Sequence, residues 1–434
     1  MLESRSGGSA QSSRSGSASK GSSGEGKGFG FRTLDDFDVR GKKVLLRVDI
    51  NSPVDERTLK LEDGSKIKSS VPTIKELLDR GAKVVILAHQ GRPGDYDFIS
   101  LNEHASYLSR FSGRKVRYVD DIFGSRALKA IDGLGEGECL IMKNVRELPD
   151  EQLKKTPQEH SNSALVKTLA PKFDLYVNDA FASSHRAHAS LVGFSPVMPS
   201  AAGRLLEKEV RTLSQVFRNP ERPSTYIFGG TKFVDALTPI ERLLTGEKVD
   251  NILVAGLAGY AFLWALGRPI GSRTEEFAKK GVTEEDIASA KRLYEKHRAR
   301  ILLPRDAAVE EDGKRKEYTL EHLPSDAKIL DIGQHTIQDF TKVILVSRTV
   351  FLSGPPGVFE REEFCVGTRM VYEAMVTSGA YSVLGGGHSS AAANRLGMLE
   401  KFSYASTGGG ALERFMLGKS MPVIEALSES AGKS

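Results

Sequence analysis

From Lys42 onward the chain repeats one pattern of hydrophobic and polar positions. A short run of β-branched or aliphatic residues ends in a polar or glycine-rich cluster, and a stretch of helical periodicity follows. In the first half these runs are 44–48, 84–88, 139–142 and 175–177. In the second half they are 225–228, 252–255, 301–303, 329–332, 350–352, 382–384 and 402–405. Apolar runs without alternating polar positions predict strands buried on both faces. Their alternation with helices predicts parallel sheets covered on both sides. So many strands exceed one comfortable sheet. The stretch 195–204, with Pro196, Pro199 and Gly203, is predicted to separate two such units, and a helix over 205–217 to join them. No internal repeat of fixed period is present.

Composition narrows the picture. A length of 434 residues suits two or three domains, and 39% hydrophobic with 27% charged residues excludes disorder along the whole chain. Residues 1–28 differ: ten serines and seven glycines cannot bury enough surface to offset ordering entropy, so this tail is expected to be disordered. It has no apolar core and is not a secretory signal. The longest uncharged apolar run, 252–267, is shorter than the roughly 20 residues of a membrane span and reads as a buried strand entering a buried helix. Two cysteines, Cys139 and Cys365, exclude a disulfide framework and fit a reducing, cytoplasmic compartment. A net charge of +5 implies no strong field for nucleic acid.

Ligands of open α/β sheets bind beyond the carboxyl ends of the strands. In the first half those ends carry Arg47 to Asn51, His89 to Pro93, Lys143 to Arg146, and Asn178-Asp179 leading to His185-Arg186-Ala187-His188. Three separate ends offer an arginine: Arg92, Arg146 and Arg186. A guanidinium is a rigid fork of donors matched to carboxylate and phosphate, so the set predicts a pocket for a small, multiply charged anion. His185 and His188 lack a third ligand cluster, which argues against a metal.

In the second half the ends carry Gly229-Gly230-Thr231-Lys232, Gly256 to Gly259, Asp331-Ile332-Gly333, Gly354 to Gly357, Gly385-Gly386-Gly387-His388-Ser389, and Ser406-Thr407 followed by Gly408-Gly409-Gly410. Glycine lets backbone approach a ligand, and the helices that follow aim N–H groups at phosphates. Six such ends on one sheet edge predict a nucleotide site. The spacing is not that of a P-loop, and neither a nucleophile elbow nor paired carboxylates stand out. An anion pocket facing a nucleotide site implies phosphoryl transfer, which needs positioning and charge neutralisation more than a covalent nucleophile.

These motifs resemble phosphoglycerate kinase. The residues that carry the resemblance are R-V-D-I-N-S-P at 47–53, H-Q-G-R-P at 89–93, N-V-R at 144–146, V-N-D-A-F through H-R-A-H at 177–188, G-G-T-K at 229–232, G-P-P-G-V-F-E at 354–360 and S-T-G-G-G-A at 406–411. They follow the family's order over about 33–425, and several variants look like the archaeal branch. The resemblance implies an α/β fold of two Rossmann-like domains joined by a hinge helix. The expected domains are an N-terminal 3-phosphoglycerate domain at 29–200 and a C-terminal nucleotide domain at 201–414. The segment 415–434 is expected to pack back on the first.

It further implies reversible transfer between 1,3-bisphosphoglycerate and MgADP, giving 3-phosphoglycerate and MgATP. The expected substrate residues are Asp49, Asn51, Lys66, His89, Arg92, Arg146 and Arg186. The expected nucleotide residues are Gly229, Gly230, Lys232, Gly256, Gly357, Glu360, Gly386, His388 and Ser389. Lys232, Lys66 and Gly409 are expected at the transferring group, with Gly408 beside them. Small molecules are the expected partners, with neither nucleic acid nor membrane. A monomer is implied, a homodimer being the alternative.

Three positions depart from the family pattern. Lys66 replaces an arginine in R-I-K-x-x-x-P and keeps the charge without the planar fork. Ala236 stands where many members have a second lysine. His388 stands where an aspartate is often assigned to the metal, which leaves Mg²⁺ mainly to phosphates and water. Besides an active kinase, the sequence leaves open a nucleotide-binding module without transfer and a kinase for another small phosphorylated acid.

Overall fold

The computed structural model describes residues 30–432; the tail expected at 1–28 lies outside them. Six strands form the first sheet: β1 Lys43–Arg47, β2 Lys83–Leu87, β3 Val116–Val119, β4 Cys139–Met142, β5 Leu175–Asn178 and β6 Ser200–Ala202. Their order is β3-β4-β2-β1-β5-β6, and every pairing is parallel. Successive side chains of a strand point to opposite faces. Val44, Leu46, Val84 and Ile86 therefore enter one buried cluster with Ile67, Ile74 and Leu77 of helix Ser65–Asp79. Leu45, Val85 and Leu87 enter another with Ala127 and Ile131 of helix Ser125–Asp132. Apolar residues at every position are what a sheet covered on both faces requires.

The second half contains β7 Ser224–Phe228, β8 Asn251–Val254, β9 Ile301–Leu302, β10 Asp306–Glu311, β11 Lys314–Thr319, β12 Ile329–Ile332, β13 Thr349–Ser353, β14 Tyr381–Gly385 and β15 Tyr404–Ala405. Six of them make a parallel sheet in the order β15-β14-β13-β7-β8-β9. The other three form a small antiparallel sheet, β11-β10-β12. The expectation of six strand ends on one edge is thereby corrected. The run 329–332 pairs with β10, and a four-residue apolar run reads alike in either kind of sheet. The run 252–267 is β8 followed by the buried helix Gly256–Ala265. Among the described residues no helix is long and apolar enough to cross a membrane.

The stretch 195–204 is not a plain linker. Ser200–Ala202 pairs with β5 as an edge strand, and helix Arg204–Phe217 starts two residues later. That helix is fastened to both halves. At its start, Asp179 Oδ1 accepts the N–H groups of Leu205 (2.8 Å) and Leu206 (3.1 Å), and Thr73 Oγ1 accepts that of Arg204 (2.9 Å). Arg204 itself reaches Glu76, Asp35 and Glu207. One turn on, the fully buried Glu209 accepts the hydroxyls of Ser406 (2.8 Å) and Thr407 (2.7 Å), fixing the loop after β15. Helix Pro422–Ala431 returns to the first half: Val423 N–H donates to the Ser184 carbonyl, and Val423, Ala426 and Leu427 are buried in a cluster that includes Phe31, Leu191 and Ala202. The two cysteines lie one in each half, both buried and unpaired.

Burial pushes the Asp179 carboxyl up to about 7 against the hydrogen bonds it accepts, and its Oδ2 has no partner. A carboxyl that titrates higher in the folded state stabilises fully below the unfolded value. That contribution is lost as pH rises towards 7, by up to about 4 kcal/mol. Asp179→Asn keeps the Oδ1 acceptor and cannot ionise. Its stability relative to wild type, from denaturant midpoints at pH 5 to 8, is expected to improve with pH up to about 7 and then to level off. A difference independent of pH would contradict this.

Candidate active site

β1 ends on Arg47, which is fully buried. Its Nε donates to Ser190 Oγ (2.8 Å), Nη1 donates to the Val48 carbonyl, and Nη2 lies 3.0 Å from His89 Nδ1. Two residues beyond β1, Asp49 accepts the Ser183 hydroxyl and the Asn51 N–H. Asn51 Oδ1 accepts the Gly91 N–H at 2.8 Å, tying the loops after β1 and β2. The loop after β4 joins them: Asn144 Nδ2 donates to the Gln90 carbonyl (2.7 Å), and Arg146 donates to the Gly91 carbonyl. Four strand ends are thus cross-linked into one floor.

The floor is short of negative charge. Among the described residues none of Arg47, Arg92, Arg146 and Arg186 forms an ion pair. Burial, with Arg186, Arg47 and Arg92 nearby, pulls Arg146 down to about 10, and Arg186 shifts the same way through burial, Arg92 and Arg47 against Asp49. Burial also drives His89 well below its usual value, with Arg47, Arg146 and Arg186 adding to the effect against Asp49. Asp49 is the carboxylate that lines the crevice. Burial alone would push it up, but Lys66, the Ser183 hydroxyl and Arg47 hold it well below the usual range. Lys66, half-buried on helix Ser65–Asp79, shares a crevice with Asp49, Phe181 and Thr407, so both halves contribute to its walls. Arg92 is exposed at the rim.

Across this crevice the second sheet presents close backbone contacts. A Cβ on Gly229 would sit 2.4 Å from the Gly354 carbonyl oxygen, and one on Gly256 2.7 Å from the Gly230 nitrogen. Only glycine lets the loops after β7, β8 and β13 touch in this way. Gly357 likewise abuts Asp331, 2.2 Å from where its Cβ would be. Ser389, fully buried, accepts the Gly354 N–H (2.9 Å) and donates to the Gly385 carbonyl (2.8 Å), joining the loops after β13 and β14. Gly386, at φ 85°, has open space where a Cβ would point. Glu360 and His388 are exposed. Lys232 directly precedes helix Phe233–Thr245, its side chain 77% exposed and 3.4 Å from Asp235. Ala236 lies on the buried side of that helix.

The glycine loop after β15 presses on the first half. A Cβ on Gly408 would be 2.4 Å from the Phe181 ring, Gly410 faces His185 Nε2, and Gly409 is open. The sequence-derived substrate residues therefore gather on the first sheet's carboxyl edge, and the glycines on the second's. Arg47, Ser183, Ser190, Glu151 and Glu209 were not singled out from the sequence. Arg47 stands inside a quoted motif. The others pair with partners more than thirty positions away, and spacing carries no signal of that.

The model of the phosphoglycerate kinase family matches residues 34–419. The phosphoglycerate kinase of Methanosarcina mazei is 44% identical over 404 residues, covering 93% of this chain and 96% of that one. That of Methanobacterium bryantii is 42% identical over 399 residues, covering 92% and 97%. A solved phosphoglycerate kinase from Pyrococcus horikoshii OT3 superposes with a TM-score of 0.85 at 38% identity, covering 93% of this chain and 100% of that one.

Proposed function

Since the chain belongs to the phosphoglycerate kinase family, phosphotransferases with a carboxyl acceptor that interconvert 1,3-bisphosphoglycerate plus ADP and 3-phosphoglycerate plus ATP, we infer that the cationic floor and the glycine wall are its two substrate sites. The observation that carries this reading is the charge deficit of the floor: four arginines, none in an ion pair, with Asp49 the carboxylate that lines the crevice. A bound phosphoglycerate supplies the missing negative charge.

In this reading Arg92, Arg146 and Arg186 grip the substrate phosphate, and His89 adds a neutral donor. Asp49 and Asn51 accept from the glycerate hydroxyl. Gly229, Gly230, Gly256, Gly357, Gly386 and Ser389 shape the nucleotide wall, Glu360 accepts from the ribose and His388 borders the phosphates. The acyl phosphate oxygen–phosphorus bond breaks as a β-phosphate oxygen of ADP takes the phosphoryl group in line, with no covalent enzyme intermediate. Lys66, Lys232 and the Gly409 N–H stabilise charge on the transferring oxygens.

Mg²⁺ enters as part of the nucleotide. His388 offers one neutral nitrogen at most, a poor match to an ion that prefers oxygen, so phosphates and water supply its ligands. Helix Arg204–Phe217, fastened to one half through Asp179 and to the other through Glu209, serves as the hinge between an N-terminal domain ending at Gly203 and a C-terminal domain, with 422–431 returning to the first. Closure excludes water from the acyl phosphate. A reducing, cytoplasmic compartment fits two buried, unpaired thiols.

The test is turnover with 3-phosphoglycerate and MgATP, coupled to glyceraldehyde-3-phosphate dehydrogenase and followed as NADH oxidation. Saturation in both substrates is expected. MgADP binding without turnover would leave a binding module. In the same assay Lys66→Arg is expected to raise kcat about five- to tenfold, because the fork adds a second charge-assisted bond to the transferring group. An unchanged or lower kcat would mean that the ammonium already has the better geometry here.

A further inference from the structure

Glu151 has no exposed surface and lies in the segment after β4, away from any strand-end motif. Its two oxygens accept the Ser190 N–H (2.8 Å, Oε2) and the Ser190 hydroxyl (2.6 Å, Oε1). Because that hydroxyl donates to Glu151, its oxygen is free to accept Arg47 Nε at 2.8 Å. Arg47 in turn reaches His89 Nδ1 at 3.0 Å. A guanidinium can only donate, so Nδ1 must carry the lone pair and the ring proton must sit on Nε2. Arg47 therefore donates at both ends of this chain, to His89 on one side and through the Ser190 hydroxyl to the carboxylate on the other.

We propose that Glu151 is a positioning residue that, through Ser190 and Arg47, fixes His89 as its Nε2–H tautomer and so presents an N–H donor to the phosphoglycerate. The inference rests on the reading of the floor as the phosphoglycerate site. Glu151 also supplies the negative charge nearest the inner end of Arg47, while His188, 3.9 Å away, faces the same carboxylate. The charged groups facing His89 are Asp49, Arg47, Arg146 and Arg186. Three of the four are cations, so the neutral ring persists across the working pH range.

Glu151→Gln removes the negative charge and one of the two acceptors that hold Ser190, and through it Arg47, in place. Whichever way the amide turns, its NH₂ meets either the Ser190 N–H or the hydroxyl that must donate. Ser190→Ala, a smaller change, removes only the middle link. The experiment is ¹⁵N-histidine NMR of the full-length protein at pH 6 to 9, with steady-state kinetics alongside. In wild type His89 is expected to show Nδ1 unprotonated and Nε2 protonated throughout. In Glu151→Gln, or in Ser190→Ala if the first variant does not fold, mixed tautomers are expected. The KM for 3-phosphoglycerate should rise about tenfold and the KM for MgATP should stay within twofold. A wild-type Nδ1–H tautomer, or a folded variant with His89 unchanged, overturns the proposal whatever the kinetics. Unchanged tautomers in an enzyme that turns over leave the kinase reading standing. A correct tautomer without turnover counts against that reading instead.

Discussion

Lys232→Ala is expected to lower kcat by about two to three orders of magnitude while the KM for 3-phosphoglycerate stays near its wild-type value. The lysine is largely exposed, and it pairs with Asp235 at 3.4 Å. An exposed i, i+3 pair contributes little to folding, so truncation should leave the melting temperature nearly unchanged. What the side chain offers is a mobile positive charge beside the glycine wall, where Ala236 supplies no second lysine. In the proposed reading the interaction forms with the transferring phosphoryl group, so its loss is expected in kcat rather than in binding of the acid. Both parameters follow from the coupled assay, and a kcat within tenfold of wild type would remove Lys232 from the reacting centre.

Arg186→Ala should reduce kcat/KM for 3-phosphoglycerate by about 30- to 1,000-fold, equivalent to roughly 2–4 kcal/mol of lost charge-assisted contact. The same change should not destabilise the free protein, and a small gain is expected. Arg186 forms no ion pair; it is half-buried, Arg47 and Arg92 disfavour its charge, and it in turn disfavours that of Arg146. Removing one of several like charges relieves repulsion that Asp49 offsets only in part. Opposite movement of stability and activity is the signature of a floor preorganised for its ligand. Urea midpoints measured with and without 3-phosphoglycerate separate the two effects. A large loss of stability without ligand would instead make Arg186 a structural residue.

The strands that bear the site could be read from sequence, because β1, β2, β4, β5, β7, β8, β13 and β14 each carry an unbroken apolar run buried on both faces. Edges were harder. β3 carries the exposed Arg117, and β6 is only Ser-Ala-Ala, so neither shows an apolar run. β10 and β11 are rich in charge because one side of a small antiparallel sheet faces water, and β12 borrowed the look of a central strand. Within the site, arginines and glycines at strand ends were visible because the chemistry demands those residue types there. The supports were not. Glu151 and Ser190 stand 39 positions apart, and Glu209 and Thr407 stand 198 apart. Such pairs are chosen by three-dimensional packing, which leaves no period or spacing along the chain.

Cys139 is the first residue of β4, next to the edge of the first sheet, and Cys365 immediately precedes helix Val366–Thr377 of the second half. Burial raises both thiols above their ordinary acidity range, so in the closed fold they present neither access nor thiolate to an oxidant or alkylating reagent. Each reacts only when the structure around it opens. Modification rates at the two sulfurs therefore act as separate clocks for the breathing of the two halves, and a ligand held by one half should slow one clock more than the other.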